Sequence, residues 1–218
     1  MRCDPRFGRV SWRMRALPQR HPWPNSLAAS PSSPVGTTMI PEALRPTSTE
    51  PFQLSPSTVI DVPKALPTFQ AWRGPSIPNT YGGKAALEFE GEPLFAELVI
   101  LRHFQRKGWQ EAWIDTYRRR TLSGIDQPCE IPIGPRARLT AISEHAGSSS
   151  GCFDVYVWRD ETFMFAEAEC LGRDRVRASQ VRWLTSALAV GVPVGALLVV
   201  EWTTSLNVVR HSNRIPRR

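Results

Sequence analysis

Between residues 151 and 180 the chain reads GCFDVYVWRDETFMFAEAECLGRDRVRASQ. Two apolar runs, 152–158 and 162–170, flank the polar turn Arg159-Asp160-Glu161, and their β-branched and aromatic alternation predicts a strand hairpin. Residues two apart on a strand share a face, so Glu167 and Glu169 project together while Ala166, Ala168 and Cys170 point the other way. Pairing of the hairpin brings Asp154 toward them. Unpaired buried carboxylates are costly, and three of them among core-type positions point to a divalent cation.

The flanking pattern supplies the other elements. Pro93 in a first turn and Gly108 past the end predict a helix over 93–107 with the apolar stripe Leu94, Leu98, Leu101 and Phe104. Glu97 falls inside that stripe. Residues 109–117 alternate as a strand and run into Arg118, Arg119 and Arg120. Turn residues and a short helix over 136–145 fill the connection 121–150. A second long helix follows, with Asp174 as its N-cap and Val176, Trp183, Leu184, Ala187 and Leu188 as its buried stripe. Gln180 lies on that same side. Residues 196–202 form a continuous apolar strand of the type covered on both faces. The order α-β-β-β-α-β predicts an α/β fold built on a mixed four-stranded sheet with flanking helices.

Residues 1–80 contain 14 of the 20 prolines and lack an apolar period. Residues 1–60 therefore read as a disordered, Pro/Ser-rich basic segment, 61–90 as an extended lead-in, 91–206 as the folded domain and 207–218 as a basic tail. The net charge of +7 is uneven: nine Lys or Arg against four Asp or Glu in 1–80, and 18 against 16 in 81–218. A basic chain favours acidic partners, nucleic acid first. The cysteines at 3, 129, 152 and 170 show no CxxC spacing, which argues against structural zinc and for a reducing, cytoplasmic setting. The uncharged stretch 184–200 is cut by Gly191, Pro193 and Gly195, so it reads as helix, turn and strand rather than as a membrane span. The arginine-rich start lacks the apolar core of a secretory signal.

On these residues the chain resembles the PD-(D/E)xK nuclease superfamily, and within it the VRR-NUC (virus-type replication-repair nuclease) group. The matching residues are Gly151 and Asp154, then Phe165-Ala166-Glu167-Ala168-Glu169, then Gly172, Asp174-Arg175, Gln180 and Trp183-Leu184. The resemblance spans residues 93–202 and implies a restriction-endonuclease-like core. It departs from the family pattern at Phe153, where a proline is usual, and at Glu169, where a lysine is expected. The chain has three lysines, 64, 84 and 107, and none lies in the hairpin.

The resemblance implies a metal-dependent nuclease acting on DNA, with Asp154, Glu167, Glu169 and Gln180 as catalytic residues. Asp154, Glu167 and Glu97 are the expected ligands of Mg²⁺ or Mn²⁺. Arg118, Arg119, Arg173, Arg175 and Arg177 are placed to meet phosphates. The missing lysine motivates an alternative, a catalytically impaired relative that binds nucleic acid or protein through the same scaffold. The sequence also admits a homodimer.

Overall fold

The hairpin is realised as β9 (Val155–Arg159) against β10 (Thr162–Cys170), antiparallel, with Val155 opposite Ala166 and Arg159 opposite Thr162. The computed structural model describes residues 39–174 and 176–205, all within one compact unit. Before the hairpin come β1 (Ser48–Ser55), β2 (Thr58–Ala65), β3 (Thr68–Ala71), β4 (Leu87–Phe89) and β5 (Glu92–Leu94). These are followed by α1 (Ala96–Gln105), β6 (Gln110–Asp115), β7 (Arg120–Gly124), β8 (Gln127–Pro128) and α2 (Ile133–Ala146). After it come α3 (Ala178–Ala189) and β11 (Leu197–Thr204).

The fold is α/β with a mixed sheet, but among the described residues that sheet has 11 strands rather than four. The four strands expected from the sequence are its contiguous middle, in the order β11-β10-β9-β6. β10 and β11 run parallel, as a helical crossover requires, and the other two neighbouring pairs are antiparallel. Helices cover both faces. Leu98, Leu101 and Phe104 of α1 pack with Val155, Val157, Ala166 and Val200 on one side, while Trp183, Leu184 and Ala187 of α3 pack with Phe153, Phe165 and Val199 on the other. The stretch 184–200 divides into helix, turn and strand, and no helix among the described residues is long and apolar enough to cross a membrane.

Several boundaries are corrected. Residues 48–60, assigned above to a disordered segment, form β1 and the start of β2, and the ordered sheet therefore begins well before residue 91. Apolar burial outweighs the proline content: Phe52 and Val62 are fully buried and join the α3-side core. β1 is an edge strand, where a missing proline donor does little harm. Residues 61–90 are not a plain lead-in either, since they contribute β2, β3 and β4. Residues 92–94 form β5 rather than the first helical turn. Glu90 and Gly91, both at positive φ, make a two-residue hairpin turn that pairs β5 with β4. Helix α3 starts at Ala178, not at Asp174, whose Oδ2 instead accepts the Cys170 backbone N–H at 2.7 Å. Residues 1–38, Arg175 and the tail from 206 lie outside the described residues.

Candidate functional site

Asp154 precedes β9 and Glu167 lies in mid-β10, so the antiparallel register sets them side by side. The strands interlock them: the Asp154 backbone N–H donates to Glu167 Oε2 at 3.2 Å, and the Ala168 N–H donates to Asp154 Oδ2 at 3.3 Å. The Asp154 carbonyl in turn accepts the Ile114 N–H from β6 at 2.6 Å. Gln180 on α3 completes the arrangement. Its Nε2 donates to Glu167 Oε1 at 2.6 Å while its Oε1 accepts the Arg177 backbone N–H at 2.7 Å. One amide thus caps the helix start and orients the acid.

Gly151 makes this approach possible. It sits at φ +82°, and a Cβ there would lie 2.2 Å from the Ser179 backbone. Only glycine lets the loop before Asp154 rest on the first turn of α3.

Asp154, Glu167, Arg177 and Gln180 line a cavity of about 570 Å³. Six carboxylates face it (Glu97, Asp115, Asp154, Glu167, Glu169, Asp174) against three bases (Lys84, Arg118, Arg177). Lys84 was missed by sequence reasoning. It arrives from the β3–β4 connection, and its Nζ donates to the buried Glu97 on α1. A lysine after Gly82-Gly83, about 70 residues from the acids it faces, leaves no motif in the chain; the paired strands bring it there.

The electrostatics follow from burial and crowding. Burial, then the neighbouring Glu97, pushes the Asp154 pKa from its ordinary 3.8 to about 7, although Lys84 and the Ala168 N–H oppose the rise. Burial and Asp154 likewise raise Glu167 well above the carboxylate range against the Gln180 hydrogen bond. Burial works against the Lys84 ammonium, yet Glu97, Asp154 and Asp115 outweigh it and raise its pKa. Burial and repulsion from neighbouring carboxylates thus both favour the protonated forms of the two central acids.

Glu169 lies on the same face as Glu167 and opposite Glu201 on β11. Burial, followed by Glu50, Asp174 and Glu201, raises its pKa to about 6, with Lys64 opposing. Its Oε1 is buried without a hydrogen-bond partner among the described residues. Glu97 lines the same cavity as Asp154 and Glu167, where its Oε1 accepts from Lys84 Nζ. Among the described residues no group of three or more His, Cys, Asp or Glu is spaced to hold a metal ion. Arg118 and Arg177 line the central cavity, Arg119 an adjoining one and Arg173 a second. Arg118 also pairs with Asp115 at 3.3 Å. Arg175 lies outside the described residues.

Compared with protein-family profiles, curated proteins and solved structures, the chain matches none.

Proposed function

We propose that this chain is a metal-dependent nuclease, hydrolysing phosphodiester bonds in DNA around Asp154 and Glu167, on a restriction-endonuclease-like core formed by β6, β9, β10 and β11 with α1 and α3. The observation that carries this reading is the interlocked pair of buried carboxylates in a cavity whose acids outnumber its bases by six to three.

The donor set suits one Mg²⁺ or Mn²⁺ held by two carboxylates, the remaining positions going to water and phosphate oxygen. Such an ion supplies charge neutralisation at the phosphate and a more acidic water. The chain's own groups do the rest. Gln180 fixes Glu167, while Glu169, with its pKa near 6, accepts a proton at neutral pH. Lys84 offers the positive charge that the position of Glu169 does not, and Arg118 and Arg177 favour approach of a phosphate. The free cysteines Cys129, Cys152 and Cys170 suit a reducing compartment, and we assign the protein to the cytoplasm.

A catalytically impaired DNA-binding relative is the second reading. It is favoured by the ion pair between Glu97 and Lys84 and by the lack, among the described residues, of a group of three or more His, Cys, Asp or Glu spaced to hold a metal ion.

Incubation with single-stranded, duplex and branched DNA in Mg²⁺ or Mn²⁺ distinguishes them. Cleavage that Asp154→Ala and Glu167→Ala each abolish supports the nuclease. Salt-sensitive binding without cleavage supports the second reading. Cleavage surviving in both variants marks a contaminant.

A further inference from the structure

The turn between β6 and β7 carries a feature that the acid pair does not account for. Tyr117 is 89% exposed at the tip of this turn, yet it lines both the central cavity and an adjoining one of about 410 Å³. An isolated exposed aromatic needs no explanation, but this one is held out by a built support. The buried Asp115 accepts the Arg118 backbone N–H at 3.1 Å and pairs with the Arg118 and Arg120 guanidinium groups at 3.3 and 3.4 Å. The Arg118 guanidinium lies 4.5 Å from the Tyr81 ring centre and 5.6 Å from that of Tyr117. Arg119, at φ +53°, closes the turn.

The surrounding space is a trough rather than a closed pocket. The 410 Å³ cavity shares Asp154, Glu167, Arg177 and Gln180 with the central one and is also lined by Arg119 and Ser148–Ser150. A third cavity, of about 200 Å³, shares Lys84, Glu97 and Asp174 with the centre and is also lined by Arg173. Each adjoining cavity thus adds an arginine to the acid-rich centre, and the exposed Tyr117 lines two of the three.

We propose that the DNA strand crossing this trough is unpaired and that a base next to the scissile phosphate stacks on Tyr117. The inference rests on the nuclease reading and adds the substrate class. Glu167 is only 7% exposed at the floor of the trough. A duplex holds its phosphates on a stiff cylinder with its bases stacked inside, whereas an unpaired strand bends inward and leaves its bases free to stack on a ring. Base–aromatic stacking is worth about 1–3 kcal/mol per base and tolerates any sequence. Tyr117 acts here as a specificity-determining residue.

The test uses the full chain in an Asp154→Asn background, which binds without cutting. A labelled oligothymidylate of about 12 nucleotides is compared with a duplex of the same length, and one position of the strand carries 2-aminopurine. The single strand is expected to bind more tightly. Adding Tyr117→Ala should weaken its binding about tenfold or more and restore the 2-aminopurine emission quenched by stacking, while Tyr117→Phe retains both effects. Duplex affinity should not respond to either change. Unchanged single-strand affinity in Tyr117→Ala, or equal affinity for duplex, overturns the inference. If the wild-type chain still cleaves DNA in those cases, the nuclease reading stands without it; if no DNA is bound or cut, both fall.

Discussion

Lys84 Nζ donates to Glu97 Oε1 across the cavity that contains Asp154 and Glu167. The pair fastens the β3–β4 connection to α1 and sets a positive charge opposite the central acids.

Lys84→Met leaves the buried Glu97 without its partner. The expected cost is about 1–3 kcal/mol, below that of orphaning one partner of a fully buried pair because the lysine side chain is 38% exposed. Cleavage should fall about a hundredfold. Adding Glu97→Gln should return the melting temperature to near that of the wild type while leaving cleavage slow. Recovery of activity as well would make Lys84 a purely structural residue.

Asp154 and Glu167 both have pKa values raised by folding. The native state therefore keeps protons that the unfolded chain has released, and their deprotonation opposes folding. In chelator, thermal stability should fall as pH rises from about 4 to about 7. Asp154→Asn should flatten that slope and raise the melting temperature at neutral pH by several degrees. Added Mn²⁺ should do the same for the wild type. Thermal scans across this range check both.

How much of this was legible in the sequence depends on how local the code is. The shared face of Glu167 and Glu169 follows from strand alternation, and Gln180 follows from helical spacing ahead of Leu184; both are short-range rules. The position of the acids and of Gln180 along one cavity is therefore legible from local spacing. Lys84 and the Arg118–Asp115 support depend on which distant segments pair, which alternation does not encode. The β1–β2 hairpin was hidden differently. Its prolines and serines resemble a disordered composition, but Pro51 sits in the edge strand β1, and Phe52 and Val62, with the partly buried Leu54 and Ile60, pack the hairpin into the α3-side core. The 11-strand count includes strands such as β4, β5 and β8, of two or three residues, too brief to show a period.

Phe52 stands 6.3 Å from the Phe153 ring, which stacks on Trp183 at 5.1 Å, next to Asp154. Phe52→Ala should cost about 3–5 kcal/mol. Deleting residues 1–60 removes β1 as well and should lower the melting temperature sharply. An unchanged transition after that deletion would contradict the β1–β2 packing described above.

The contacts that orient the acids can be broken one at a time. Gln180→Ala removes the donor to Glu167 Oε1 and should cost about 1–3 kcal/mol. Gly151→Ala forces a Cβ into the Ser179 backbone and should cost about 2 kcal/mol or more. Both should lose more activity than stability, since each displaces Glu167 or Asp154 relative to the other. Chemical denaturation beside cleavage rates reads the difference.

The proposed nuclease requires Asp154 and Glu167 to form one cation site, and a cation binding there must displace their protons. Calorimetric titration of the full chain with Mn²⁺ near neutral pH, repeated in buffers of different ionisation enthalpy, tests this directly. The expected result is one Mn²⁺ per chain, net proton release on binding, and loss of that site in both Asp154→Asn and Glu167→Gln. Absence of Mn²⁺ binding, or binding that survives both substitutions without proton release, would contradict it.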